Sequence, residues 1–414
     1  MDTIYRCCVG LDVHQKTVEA TVRRLDEAGR LTTQTRRFGT MTRELLALGD
    51  WMAQEGVTIV VMEATGVYWK PVWNLLEGRF ELLLVNARHV KQVPGRKTDA
   101  SDSQWLAQLL QYGLLRGSLV PPRAVRELRD LTRDRTQLVQ ESARVANRIQ
   151  KVLEDANVKL ASVATDVLGV SGRAMLEAMI AGEQDPVRLA GLARGILRKK
   201  DAQLRLALHG GLTDHHRFML GVHMEHLHDL ERYIATIEER IDQKVAEQGW
   251  GQAVERLDQI PGVDKRTAQV MLCETGGDMS RFASEHHLAS WAGMCPGNHE
   301  SAGKRKSGKT RKGSRWLRAA LVQAGWAATR TKNRYLKAQF HRLARRRGRK
   351  RALVAVGHSV LIAAYHMLKE GRDYHELGGD YFERRDAERI KRSLVRRLEA
   401  LGNRVTLEPV GAPT

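Results

Sequence analysis

The sequence predicts an α/β amino-terminal domain, a middle region built on two long helices, and a mainly α-helical, basic carboxy-terminal domain. Three observations carry this. Short β-branched runs alternate with helical stretches over residues 1–115. Apolar residues recur every seven positions in two middle segments. From Ser301 to Arg351 there are nineteen Lys or Arg and no Asp or Glu, yet apolar helical stretches interrupt the run. That segment reads as a folded domain with one strongly positive surface rather than a disordered tail.

Ile4 to Leu11 is apolar and β-branched, Thr17 to Leu25 alternates, and Leu31 to Phe38 follows a Glu-Ala-Gly-Arg turn; together they predict a three-stranded antiparallel meander. A helix over 41–54, a buried strand at Thr58 to Met62, a helix carrying Tyr68, Trp69 and Trp73, and a strand at Glu81 to Val85 follow. The order β-β-β-α-β-α-β-α is the ribonuclease-H-like topology. In the middle, Leu131, Leu138, Val145 and Val152 form one heptad series, with Leu128 and Ile149 in companion seam positions. Leu220, Leu227, Ile234 and Ile241 form the other, with Leu230 and Ile237 beside it. Both obey the a/d rule, so two helices around a compact insertion at 160–213 predict an antiparallel coiled coil, serving either as an intramolecular bundle or as a dimerisation arm. The expected domains are 1–124, 125–250 (coiled coil) and 251–370, followed by a polar tail at 371–414.

Composition narrows the function classes. With 68 Lys and Arg against 48 Asp and Glu in 414 residues, the net charge is +20. Such an excess suits a polyanionic partner, because neutralising phosphates releases counterions. Cys7, Cys8, Cys273 and Cys295 show no CxxC spacing, which argues against a zinc ribbon and suits a reducing cytoplasm. The start, MDTIYRCCVGLDVHQ, lacks signal-peptide order, and no apolar run is read as approaching the roughly 20 residues of a membrane span, so no membrane partner is expected.

Four carboxylates stand out. Asp12 closes the first strand, Glu63 closes the VVME strand, and Asp99 and Asp102 lie three apart at a helix start, on one face. An acid ending an apolar strand is poorly solvated unless it meets a cation. Hard oxygen ligands of this kind suit Mg²⁺ or Mn²⁺, and two such ions about 4 Å apart can clamp the attacking and leaving oxygens of a phosphoryl transfer. Read singly, Asp12 is a turn residue and Asp99 a helix cap; the ordered set is the specific signal. GLDVHQKT (10–17), MEATGVYW (62–69) and RKTDASDSQWLA (96–107) resemble the DEDD insertion-sequence transposases of family one-ten. That resemblance implies a domain similar to RuvC, the Holliday-junction resolvase, with its four acids at Asp12, Glu63, Asp99 and Asp102.

The resemblance extends to the segment WAGMCPGNHESAGK (291–304) and so covers most of 1–370, the middle helices matching only in character. It implies a nucleophilic serine at Ser301. Read locally, Ser301 sits in a Gly-containing loop just before Lys304, Arg305 and Lys306. A serine hydroxyl is a weak nucleophile until activated, and nearby cations can orient a phosphate and stabilise its transition state. Ser307 and Ser314 are rivals in the same loop, and a plain phosphate-binding loop has the same composition. Lys304, Arg305, Lys306, Lys309, Arg311, Lys312 and Arg315 are the candidate nucleic-acid contacts. Ile260-Pro-Gly-Val263 resembles a helix-hairpin-helix turn, although a structural turn fits as well, and His215, His216, His223, His226 and His228 read as polar bundle surface.

The resemblance further implies double-stranded donor and target DNA, a noncoding guide RNA, and a homo-oligomer: a dimer, pairing into a tetramer at the synapse. Two other functions compete: a metal-dependent junction nuclease, which would tolerate loss of Ser301, and a non-enzymatic nucleic-acid-binding protein, which would tolerate Glu63→Gln.

Overall fold

The computed structural model describes residues 3–87, 90, 101–297 and 299–407. The chain divides into two compact units, 1–123 and 124–414. In the first, β1 (Cys7–Val13), β2 (Thr17–Leu25) and β3 (Leu31–Gly39) form the antiparallel meander. β1 starts later than expected because the Ile4 and Tyr5 N–H groups bond to Gln111 O instead of a neighbouring strand. Helix α1 (Thr42–Gln54), β4 (Ile59–Glu63), α2 (Trp69–Leu76), β5 (Glu81–Val85) and α3 (Asp102–Gln111) follow. The sheet order is β3-β2-β1-β4-β5, with β4 parallel to both β1 and β5.

The pleat sorts β1 onto two cores. Val9, Leu11 and Val13 pack with Leu45, Leu48, Trp51 and Trp73 of α1 and α2. Cys8 points the other way, to Leu106, Leu109 and Leu110 of α3. Gly10 shares that second face, and a Cβ there would lie 2.2 Å from Ser103 O and 2.5 Å from Ala107 N. Only glycine lets α3 lie this close to the sheet.

The second unit opens with α4 (Arg123–Asp155) and includes α9 (Asp214–Glu247), the two expected long helices. They run antiparallel: Glu127 pairs with Lys244 (3.3 Å), Arg135 with Glu238 (2.6 Å) and Asp155 with His216 (2.9 Å). Their seam is uneven. Leu128, Val145, Ile149, Leu220, Leu227, Leu230 and Ile241 are buried. Leu131, Leu138, Val152, Ile234 and Ile237 are only half-buried, and nothing from 133 to 144 or from 231 to 240 is fully buried. One closed end is where the insertion packs. Its helices α5 (Leu160–Val163), α6 (Val170–Ile180), α7 (Pro186–Gly191) and α8 (Asp201–Leu208) add Met175, Leu176, Leu189 and Leu204 to the same core as Val145 and Leu227.

The rest of this unit is helical apart from one hairpin. Its elements are α10 (Gly251–Asp258), α11 (Lys265–Thr275), α12 (Glu285–Trp291), strands β6 (His299–Ser301) and β7 (Lys304–Ser307), α13 (Arg315–Ala328), α14 (Tyr335–Arg347) and α15 (Arg349–Glu370). The sequence reading of apolar runs needs correcting at α15, whose 22 residues are long and apolar enough to cross a membrane. Here it serves as a core helix, burying Val356, Val360, Leu361, Ala364 and Tyr365. It packs closely on α13, since a Cβ on Gly357 would come within 2.9 Å of Leu321 O. The expected polar tail carries α16 (Tyr381–Arg385) and α17 (Ala387–Ala400), whose Ile390, Leu394 and Leu398 recur every four residues.

Candidate functional site

Asp12, one residue before the end of β1, and Glu63, the last residue of β4, lie on neighbouring parallel strands. The β1–β4 register runs to Leu11 opposite Met62, so the two acids follow side by side and, by the pleat, on the α3 face. Asp12 is 25 % exposed and its Oδ2 lies 3.0 Å from His14 Nε2. Glu63 is half-buried. Asp102 is the first residue of α3 and is exposed. Asp99 lies outside the described residues. Among the described residues, no three His, Cys, Asp or Glu side chains are grouped closely enough to hold a metal ion.

A carboxylate that sequence reasoning missed stands beside these. Glu19 lies directly opposite Asp12 in the β1–β2 register and therefore on the same face. Ser103 Oγ donates to Glu19 Oε1 at 2.8 Å, and Arg37 Nη2 is 3.6 Å from Glu19 Oε2. Hydrogen bonds from Ser103 and Ser101, together with the Arg37 charge, hold the Glu19 carboxyl below its ordinary pKa, outweighing partial burial. Ser103 also bonds Thr21 (2.8 Å), and Ser101 with Gln104 forms a capping box. The first turn of α3 is thus pinned over β1 and β2. The signal was present in the alternation of Thr17, Glu19 and Thr21, which reads as an ordinary strand face.

Ser301 is not in an irregular loop. It ends β6, opposite Lys304 across a two-residue turn in which Ala302 (φ 51°) and Gly303 (φ 73°) both take the left-handed conformation. That is a type I′ hairpin turn, whose twist matches that of the strands. The hairpin extends through a bridge between Pro296 and Thr310 and a Gly297 N–H bond to Lys309 O (3.1 Å). Its base closes where Gly293 and Gly313 meet: a Cβ on Gly313 would be 2.3 Å from Ala292 O. The described residues of 293–313 therefore form a β-arm between α12 and α13, with Ser301 beside its tip. Lys304 to Lys306 lie on β7, and Lys304, Lys309, Arg311, Lys312 and Arg315 are exposed.

Of the rival serines, Ser307 Oγ accepts from Lys309 N (3.2 Å). Ser314 caps α13 and donates to Glu274 Oε2 at 2.9 Å. Glu274, only 2 % exposed, is held bidentately by Arg133 (2.7 and 2.9 Å). Arg129, from the turn before, donates to the Cys273 and Glu274 carbonyls that end α11. Ser314 thus has a structural partner that joins the foot of the arm to α4 and α11.

The helix-hairpin-helix reading resolves to a structural turn. Ile260 is buried, and a Cβ on Gly262 (φ 87°) would lie 2.3 Å from Ala324 O of α13. The turn thus faces protein, and Asp264 caps α11 by accepting from Thr267 N at 2.7 Å.

Comparisons with known proteins match the segments that hold the acids and Ser301 separately. A DEDD transposase family model, described as Transposase, matches 9–158, which contains the four acids. A second, described as Transposase IS116/IS110/IS902 family, matches 254–342, which contains Ser301. A curated Sinorhizobium fredii protein, "Putative transposase y4pF/y4sB", is 27 % identical over 192 residues, 45 % of this chain and 49 % of its own length. The chain thus spans about half of that relative. With two transposase family models covering more than half of its length, the chain belongs to the IS110 family of transposases.

Proposed function

We propose that this transposase breaks and rejoins DNA strands with two sets of groups: the acids Asp12, Glu63, Asp99 and Asp102 of a ribonuclease-H-like domain, and the Ser301 hydroxyl. The observation that carries the reading is the adjacency of Asp12 and Glu63 at the ends of parallel strands, on the face that is covered by α3, the helix that begins at Asp102. The donors are all carboxylate oxygens, a set that fits Mg²⁺ or Mn²⁺. When bound, such an ion supplies Lewis-acid charge to a phosphate oxygen. Glu19, held ionised by Ser103, adds negative charge beside Asp12 and fixes the α3 turn.

At the arm, Ser301 Oγ forms a bond to a backbone phosphorus while the bond from that phosphorus to one deoxyribose oxygen breaks. The serine proton passes to the departing oxygen, so the phosphodiester is exchanged rather than hydrolysed, and its energy is kept for rejoining. Lys304 and its basic neighbours hold the phosphate. By the same reading, a noncoding RNA selects donor and target DNA by base pairing, and the acids and the serine of one working site come from different subunits of a dimer or tetramer, with the α4–α9 coiled coil assembling it. The test is strand cleavage in Mg²⁺ with Asp12→Asn and Glu63→Gln: both should lose cleavage at least a hundredfold while melting as the wild type does. Cleavage retained by both would overturn the acidic site.

A further inference from the structure

We propose that α4 and the first turn of α13 form a pocket that receives one unpaired nucleotide of a nucleic-acid strand. This rests on the reading above that the chain handles nucleic acid, and names a place where it does so. The pocket has a volume of about 350 Å³ and is lined by Thr136, Gln137, Gln140, Arg144, Arg315 and Trp316. That size lies within the range of about 300–1,000 Å³ typical of small-molecule sites.

The lining chemistry is that of nucleotide recognition. Thr136, Gln140 and Arg144 lie four residues apart on α4 and so share one face, with Gln137 beside them. Among the described residues, the Gln137 and Gln140 amides make no hydrogen bond, and Arg144 and Arg315 have no carboxylate partner. Two amides can read a base edge and two guanidiniums can hold the flanking phosphates. Trp316 supplies a flat surface: the Arg315 guanidinium carbon is 4.5 Å from its ring centroid and that of Arg133 is 5.9 Å. Bases stack on aromatic rings and on guanidinium planes alike, so a base can lie on the ring or on the guanidinium that covers it.

Charge selects the occupant. The pocket carries no acid, and Arg315 directly follows the arm with its run of cations. The pocket shares Gln137, Arg315 and Trp316 with a larger cavity of about 680 Å³ that carries both signs of charge, Glu127, Asp130 and Asp134 together with Arg133, Arg240, Lys244 and Arg315. The smaller pocket is the one with cations alone, Arg144 and Arg315, so an anionic strand is favoured there over the cavity of mixed charge. A paired base cannot enter, because both its edge and its stacking faces are already used within the duplex.

The test measures binding of the full chain to three probes, dT20, U20 and a 20-bp duplex. Trp316→Ala should weaken the single strands about tenfold, the scale of removing one base–aromatic stack, and leave the duplex unchanged, while Trp316→Phe keeps most of the affinity. Arg144→Gln, at an exposed position that does not threaten folding, should weaken the same strands and lower their salt slope by about 0.7. A loss confined to dT20 assigns the pocket to DNA, one confined to U20 to RNA, and a loss on both to their shared chemistry; each supports the pocket. Equal losses on strand and duplex, or none in either variant, overturn it. A wild-type chain that binds none of the three probes overturns the nucleic-acid reading itself, and the pocket with it.

Discussion

Ser103 Oγ donates a 2.8 Å hydrogen bond to Glu19 Oε1, and Glu19 stands directly across the β1–β2 register from Asp12. One bond thus ties the start of α3 to the strand pair that carries the first acid. Its strength depends on Glu19 being ionised. The folded-state pKa lies below the ordinary 4.5, so the stabilisation is complete above pH 4.5 and is lost as pH falls through the lowered value. Glu19→Gln should therefore cost on the order of 1 kcal/mol at pH 7. The gap to wild type should close as pH falls below 4.5, read by urea denaturation at several pH values. A gap independent of pH would mean that the Glu19 charge does not hold the α3 turn.

The buried Glu274 should matter more for stability. Its carboxylate meets Arg133 and Ser314 in a nearly dry setting, and burial lowers the pKa of the neighbouring Arg129 despite the Glu274 charge. Glu274→Ala leaves those guanidiniums without their counter-charge, a loss of about 3–5 kcal/mol. Ser314→Ala, which removes only a cap and one hydrogen bond, should cost about 1 kcal/mol. Thermal or chemical denaturation ranks the two. Equal, small effects would remove Glu274 as the link between α4, α11 and the foot of the arm.

Nucleic-acid affinity should fall steeply with salt, because the arm and the helices after it carry nineteen cations and no acid over Ser301 to Arg351. Replacing Lys304, Arg305 and Lys306 together with Gln should flatten the slope of log affinity against log salt by about 0.9 for each duplex phosphate that is no longer neutralised. Titrations at several salt concentrations provide the slope. A slope unchanged by the triple replacement would show that β7 faces away from the nucleic acid.

Strand and helix identities in the first unit were legible because burial imposes alternation on strands and a four-residue rhythm on helices. Asp12 and Glu63 stood out because an acid at the end of an apolar strand breaks that pattern. Glu19 did not, because on a strand with one polar face a carboxylate is the ordinary choice; its meaning comes from a register set by long-range pairing. The β-arm was hidden for a related reason. Its turn is Ala302-Gly303 rather than Asn-Gly, and its Gly, Ser and Lys residues read as a loop, whereas backbone packing at Gly293 and Gly313 makes the hairpin. The heptads correctly announced two long helices, but not that the middle of their seam stays half-open, since that depends on which other elements pack beside it. The α17 repeat of Ile390, Leu394 and Leu398 was obscured by the charges around it.

The most direct test of the mechanism is whether Ser301 becomes joined to DNA. Its position beside the tip of a β-arm, next to Lys304 and the cations that follow, suits attack on a backbone phosphate. The measurement is to stall the reaction on a nicked suicide substrate with Mg²⁺, digest the protein, and map the DNA-linked peptide by mass spectrometry. The expected result is an adduct on Ser301 that disappears, together with recombination, in Ser301→Ala. Full recombination by Ser301→Ala, with no DNA on any serine, would contradict the serine mechanism and leave cleavage to the acids alone.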